Sequence, residues 1–596
     1  MLPAAMAVDT VPYRLFQQAK TRPDAPAYYR KVAGTYRATS YRDYAAQVRR
    51  AARALIALGV PVGGTTVILG YNRPEWAIMD LATMSAGGAP AGIYTTCSAT
   101  EVRYITHHVE AKVALVENAR QWEKIEKEID NLPLLEHVVL MDGAPRIVHP
   151  KVLSWEEFLE RGDSVADERL QERLDALQPT GLATFIYTSG TTGPPKGVML
   201  SHENLAWTSE AARDLVSGTS SDVSLSYLPL SHIAEQVFTL HGPITMGSVV
   251  YFAESIDKVP ENLKEVQPTI FFGVPRIWEK FHAGIAQKLA DAPTLRKRIA
   301  EGAAQIGKAY NLEKNAGRTP SFLLEQAHRV ADKLVYSKLK QAIGLGRARV
   351  LVSGAAPIAR EVLEFFFGLD ILVHEVYGQS EDTGPTTFNH VGKLRLGTVG
   401  QKMPGVEVKI ADDGEILVRG PNVFLGYYKE PEATRECLID GWLYSGDLGQ
   451  FDRDGYLSIT GRKKEIIITA GGKNIAPKNI EAALRNHPLI AEAVVIGDRR
   501  KYLTALVTLE PDATKRFLQD RGLAGLPHTM AEVTAEVQKA VDDVNSELAR
   551  VETVKKFHIL EKPFSIETGE LTPTLKVKRK IVYSNFASQI EAMYAE

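Results

Sequence analysis

The stretch Thr188-Ser-Gly-Thr-Thr-Gly-Pro-Pro-Lys-Gly197 decides how this chain is read. It sets four hydroxyls (Thr188, Ser189, Thr191 and Thr192) among Gly190, Gly193 and Gly197, and adds one cation, Lys196. Hydroxyls, unhindered backbone N–H groups and a lysine suit a polyanion such as a nucleoside triphosphate. The preceding residues 184–187, TFIY, read as a buried strand, and a helix is expected from His202 to about Val216. A glycine-rich loop between strand and helix is a common place for phosphate in α/β proteins. The stretch is not a Walker A loop, because Lys196 follows Pro195 and precedes Gly197. A polar surface turn is the alternative reading.

Working outward, 65–70, 113–117, 137–142, 248–253, 269–274 and 349–357 read as short apolar strands, with amphipathic helices such as 41–58 between them. That alternation predicts parallel sheets covered by helices, an α/β fold. Residues 280–342 are charged and helical in period, and read as a surface helical hairpin. From about 395 to 461 short strands lie between Gly and Asp turns, which predicts a small β-barrel or antiparallel sheet. A new α+β unit begins near 462. The expected division is a large domain over 1–461 and a smaller, mobile C-terminal domain over 462–596, hinged near 462–464.

The chain has 596 residues, too many for one core. Its formal net charge of −2 gives no general reason to expect nucleic acid. Two distant cysteines, Cys97 and Cys437, suggest no disulfide framework and fit a reducing compartment. There is no run of about 18 apolar residues. A cytoplasmic location is expected, and peripheral contact with the inner face of a membrane is left open.

Further blocks follow in order: GAAP at 354–357, YGQSE at 377–381, DGWLYSGDLGQFDRDGYLSITGRKK at 440–464, GGKNIAP at 471–477 and ELTPTLKVKR at 570–579. Together with the loop at 188–197 they resemble the adenylate-forming enzymes, and the 440–464 block resembles their long-chain fatty acyl-CoA synthetases. The resemblance implies ATP and coenzyme A as co-substrates, a fatty acid as the group activated, and Mg²⁺. It implies an adenine slot from Gly354, Ala355, Ala356 and Pro357 with Tyr377, Gly378, Gln379 and Ser380. Glu381 and the Thr188 hydroxyl are the implied Mg²⁺ ligands, hard oxygens of the kind that ion prefers.

Asp447 is the implied acceptor for the ribose hydroxyls, Arg462 a second nucleotide contact, and Lys464 the hinge. Gly471 and Gly472 are the implied loop of the second half-reaction. Lys576, with Lys196, is implied to offset charge in the transition state. Leu575 stands where many relatives have glycine, and the neighbouring Lys578, Arg579 and Lys580 leave a local alternative. His232 is implied to lie beside the substrate carboxylate; His232 and Glu235 do not form an HExxH zinc motif. The resulting expectation is fatty acyl-CoA synthesis through acyl-AMP. The rivals are an acyl-AMP ligase serving a carrier protein, a luciferase-like relative, and an inactive lipid- or nucleotide-binding protein. Oligomeric state and acyl-chain length are not legible.

Overall fold

The computed structural model describes residues 9–188, 194–470, 473–572 and 574–595. The expected site residues Ser189, Gly190, Thr191, Thr192, Gly193, Gly471 and Gly472 lie outside these.

The largest sheet has eight strands. Leu182–Thr188, Ala89–Ile93, Thr65–Leu69, Val113–Val116, His137–Leu140 and Val152–Leu153 run parallel, in that spatial order. Lys196–Ser201 and then Gly426–Tyr427 extend it as antiparallel strands beyond Leu182–Thr188. All five residues of Thr65–Leu69 and all four of Val113–Val116 are buried, as expected of strands covered on both faces.

Ala89–Ile93 carries no such signal in the sequence, yet it lies at the sheet's centre. Space explains its small residues. A Cβ on Gly92 would stand 2.8 Å from Ser231 Cα and 3.0 Å from the Trp76 ring. Trp76 belongs to the helix Pro74–Ser85, which is buried along its whole length.

A second sheet orders Val223–Ser226, Val249–Phe252, Pro26–Val32 and Thr35–Ser40. A third joins Ile270–Gly273, Val350–Ser353 and Val373–Tyr377 in parallel, then Thr387–Phe388 and Gln401–Lys402 antiparallel. Residues 407–462 form an antiparallel sheet rather than a barrel: among the described residues no strand pairing closes it. Its neighbour Gly426–Tyr427 leaves to pair with Lys196–Ser201 instead. The C-terminal unit has a three-stranded sheet of Ile490–Ile496, Leu503–Leu509 and Val554–Ile559, backed by the helix Ala531–Ser546.

The expected strand–loop–helix at 188–197 needs correction. The loop joins two antiparallel strands, with Thr188 opposite Lys196, and the helix His202–Leu215 starts only after the second. Ser201 caps that helix: its hydroxyl accepts from the Asn204 N–H while the Asn204 side chain accepts from the Ser201 N–H. Such a cap is worth about 1 kcal/mol. Thr188 and Lys196 therefore face each other at the ends of two antiparallel strands, and the next described helix begins only at His202.

Candidate active site

The carboxyl ends of the strands Leu182–Thr188, Val350–Ser353 and Val373–Tyr377 carry Thr188, the 354–357 loop and the 377–381 turn. Strand ends of this kind are the usual ligand side of a parallel sheet. Asp447 approaches from the antiparallel sheet. Alternate residues of Trp442–Phe451 are buried, which turns Leu443, Ser445 and Asp447 inward.

Asp447 lies opposite Arg462 in the strand register, and Arg462 Nε donates to its Oδ1 at 2.8 Å. Tyr377 donates its hydroxyl to Oδ2 at 3.0 Å. Gln379 Nε2 donates both to that oxygen and, at 2.8 Å, to the Ser445 carbonyl. The 377–379 turn and Arg462 thus converge on one carboxylate. A carboxylate has about four acceptor positions, so Asp447 can take a further hydroxyl or exchange one of these donors for it.

The turn after Tyr377 is held from inside. Asp382, fully buried, accepts from the Gln379 N–H at 2.6 Å and the Thr386 hydroxyl at 2.7 Å. Burial raises its pKa well above the ordinary carboxylate range. A Cβ on Gly378 would stand 1.6 Å from the Gly384 carbonyl oxygen, so no other residue fits there without moving the turn. Ser380 and Glu381 follow in a single helical turn, Ser380–Asp382.

Lys196 and Glu381 are joined through Tyr427. The Lys196 ammonium lies 4.8 Å from the Tyr427 ring centroid and 3.7 Å from the Glu430 carboxylate. The Tyr427 hydroxyl donates to Glu381 Oε1 at 2.7 Å. The other Glu381 oxygen makes no hydrogen bond among the described residues. Glu381 and Thr188 offer a carboxylate and a hydroxyl, oxygen donors that suit a hard divalent cation.

The loop Gly354–Pro357 leaves its strand with Ala355 at φ +70°, a left-handed conformation unusual outside glycine. His232 precedes the short helix Ile233–Gln236, and its Nδ1 accepts from the Ala234 N–H at 3.1 Å. This bond assigns the ring proton to Nε2. Burial, with a contribution from the Lys576 charge, pushes the imidazole down to about 4, so it is neutral at pH 7. Glu235 is committed elsewhere: its Oε1 accepts from Thr239 Oγ1, Ser226 Oγ, the Tyr227 N–H and Asn72 Nδ2 at 2.7–3.2 Å. Burial lifts its pKa to about 8.

The C-terminal unit brings Lys576 to the same place. Leu571 and Val577 pair across a tight turn, in which the Thr572 N–H donates to the Lys576 carbonyl at 2.8 Å and the Lys576 N–H to Thr572 Oγ1 at 3.0 Å. Leu575 has φ +60°, which explains why glycine suits this position. The Lys576 side chain is accessible, yet its pKa is lowered, first by desolvation and then by Arg462 and Lys478, against opposing contributions from Asp447 and Glu381.

Arg579 is held elsewhere. It pairs with Glu481 and donates to the Val495 carbonyl at 2.9 Å. Lys464 lies exposed in the turn Lys463–Glu465 and makes no ion pair among the described residues. Lys463 beside it binds Asp413 at 2.6 Å and Glu415 at 2.9 Å. The structure therefore brings together Lys196, Tyr377, Gln379, Glu381, Asp447 and Arg462, with Lys576 close enough for its charge to act on His232. Sequence reading missed Tyr427 and Glu430. Both lie in a plain FLGYYKEP run, 424–431, whose strand Gly426–Tyr427 pairs with Lys196–Ser201.

Residues 15–428 match the AMP-binding enzyme family, and 464–596 its C-terminal domain. The chain is 39% identical to the long-chain-fatty-acid–CoA ligase FadD15 of Mycobacterium bovis, over 98% of this chain and 97% of that protein. It is 38% identical to the long-chain-fatty-acid–CoA ligase ACSBG2 of Xenopus laevis, over 98% of this chain and 84% of that one. Among solved structures, the adenylation domain of a carboxylate reductase from Mycobacterium chelonae superposes with a TM-score of 0.76 at 22% identity, covering 98% of this chain and 91% of that one. ATP-bound MatB from Rhodopseudomonas palustris does so with 0.70 at 24% identity, covering 97% and 99%. These structures share the fold, and the sequence match over most of its length shows that the chain belongs to the AMP-binding enzyme family.

Proposed function

We propose that this chain is a long-chain fatty acid–CoA ligase, joining a fatty acid to coenzyme A through acyl-AMP. The observation that carries the reading is the convergence of Tyr377, Gln379 and Arg462 on Asp447, with the Lys576 charge within their reach, in a chain whose relatives bear that ligase name over 84–97% of their length.

In the first step a fatty carboxylate oxygen attacks the α-phosphorus of ATP. An O–P bond forms and pyrophosphate leaves. The acid is already ionised at neutral pH, so no general base is needed. The difficulty is bringing two anions together, which positioned cations relieve. Lys196 and Lys576 are the cations we assign to this task. His232 is neutral and offers a hydrogen bond from Nε2 without adding charge. Asp447 and Arg462 hold the ribose and its phosphate side. Gly354 to Pro357 and Tyr377 to Ser380 form the adenine slot. Glu381 and Thr188 are the residues that would hold Mg²⁺, which when bound with ATP neutralises phosphate charge.

In the second step the sulfur of coenzyme A attacks the acyl carbon. A C–S bond forms, the C–O bond to AMP breaks, and the thiol proton is released. The unit beyond residue 461 turns about Lys464 between steps, replacing Lys576 with the 471–472 loop. The acyl-AMP ligase remains the second reading, because the first step is common to both. Incubating the protein with palmitate and ATP, with and without coenzyme A, separates them. Thioester formation dependent on free coenzyme A is expected. Acyl-AMP accumulating unchanged in its presence would favour transfer to a carrier protein.

A further inference from the structure

His232 stands at the end of a loop, 227–231, that leaves the strand Val223–Ser226 and belongs to no helix or strand. The loop is pressed onto the central strand Ala89–Ile93 at Gly92, which faces Ser231. Most of it is buried. Its backbone groups have no sheet ladder to join, so side chains must supply their partners.

Asn72 and Glu235 supply most of them. Asn72 follows the strand Thr65–Leu69 and is fully buried. Its Nδ2 donates to the Leu228 carbonyl at 2.7 Å, and its Oδ1 accepts from the Leu230 N–H at 3.2 Å, a pair of bonds that fixes how the amide is turned. Glu235, equally buried, lies on the helix that His232 caps and accepts from the Tyr227 N–H at 3.0 Å. The two side chains bond each other, and both bond the Ser226 hydroxyl. Gln236 Nε2 adds a bond to the Leu230 carbonyl at 3.0 Å. Thr239 closes the cluster from the far side, donating to Glu235 at 2.7 Å from the π-helical turn Val237–His241. Turns of that kind are rare and recur at functional sites.

Burying a carboxyl is costly, and an apolar side chain would fill the same space at lower cost. What the cluster adds is direction, which apolar contact does not specify. With Tyr227, Leu228 and Leu230 fixed, the His232 N–H donates to the Pro229 carbonyl at 2.9 Å, and the ring is set by its own bond to the Ala234 N–H. Among the described residues neither Asn72 nor Glu235 hydrogen-bonds to Lys196, Glu381, Asp447 or Lys576. We infer that Asn72 and Glu235 are positioning residues for His232 and act on adenylation only through it. The inference rests on the reading that His232 faces the substrate carboxylate.

A double-mutant cycle in palmitate-dependent ATP–pyrophosphate exchange tests it, with AMP affinity by calorimetry as the check on the nucleotide site. His232→Ala is expected to lower kcat about 10²-fold, the value of one positioned donor. Glu235→Ala and Asn72→Ala are each expected to lower kcat by about ten-fold to 10²-fold, since a displacement of about 1 Å suffices for that. KM for ATP and the affinity for AMP are expected to stay at their wild-type values. In the His232→Ala background the same two changes are expected to cost about two-fold or less, because residues that act through one group are not additive. Glu235→Gln, whose amide oxygen accepts from the same donors, is expected to recover about ten-fold relative to Glu235→Ala. Residues that merely support the fold would lower exchange equally in both backgrounds. A further loss of about ten-fold beyond His232→Ala, or an unchanged kcat in both Glu235→Ala and Asn72→Ala, overturns the inference. So does loss of AMP binding by all three single variants at these positions, which would make the cluster a support of the whole fold; otherwise the cycle is read with those that bind AMP. Full exchange by His232→Ala, or none by the wild type, removes the reading on which the inference rests, and the inference with it.

Discussion

Lys576→Ala is expected to cost the fold almost nothing and the chemistry a great deal. The Lys576 ammonium makes no ion pair or side-chain hydrogen bond among the described residues, and its surroundings disfavour its charge through desolvation, Arg462 and Lys478. Removing it relieves that penalty, so stability is expected to change by no more than about 0.5 kcal/mol. A preorganised charge aimed at a transition state is worth roughly 10²–10³-fold, about 2.7–4 kcal/mol. Palmitate-dependent ATP–pyrophosphate exchange reads the first step, and thioester formation from supplied palmitoyl-AMP and coenzyme A reads the second. Exchange is expected to fall by that factor while the second step stays near normal. A pH profile adds a further sign. Lysine loses its charge as pH rises through its pKa, and that of Lys576 is lowered from 10.5. Exchange is therefore expected to decline at a lower alkaline pH than an ordinary lysine would give, and in Lys576→Arg the decline moves upward, since arginine stays charged. Equal loss in both steps, or a melting temperature lowered by several degrees, would refute the reasoning.

Other outcomes follow from the same geometry. Lys196→Ala is expected to lower kcat/KM for ATP by the value of one charge-assisted contact, about 1.5–3 kcal/mol; unchanged kcat/KM removes Lys196 from the site. Leu575→Gly relieves a left-handed residue whose side chain is 63% exposed, and is expected to be neutral or stabilising by up to about 1 kcal/mol in thermal unfolding; a clear loss of stability would mean that the leucine packs in a way the structure does not contain. Gly378→Ala forces a Cβ onto the Gly384 carbonyl and is expected to impair the Tyr377 and Gln379 bonds to Asp447, seen as weakened binding of AMP in calorimetry.

The sequence made some layers of this molecule readable and hid others. Strands such as Thr65–Leu69 and Ile270–Gly273 were legible because burial on both faces requires apolar runs. Ala89–Ile93 was not, because close packing against Trp76 and Ser231 demands small residues that look like a turn. The site motifs could be placed in order along the chain. The bonds between them could not, since Asp447 meets Tyr377 only after two sheets have folded. Lys196 was assigned from the loop, but the Tyr427 ring and Glu430 that hold it come from a strand and the turn after it, more than two hundred residues later. Leu575 shows the opposite case: an odd residue in a motif became intelligible once its backbone angle was known.

The central claim is that the site around Asp447 and Lys576 adenylates a long hydrocarbon acid. It is tested most directly by competition between palmitate and acetate in ATP–pyrophosphate exchange without coenzyme A. Each buried methylene contributes about 0.8 kcal/mol, so even a few place palmitate orders of magnitude ahead in kcat/KM. That is the expected result; exchange that acetate or an amino acid supports better than palmitate would contradict it.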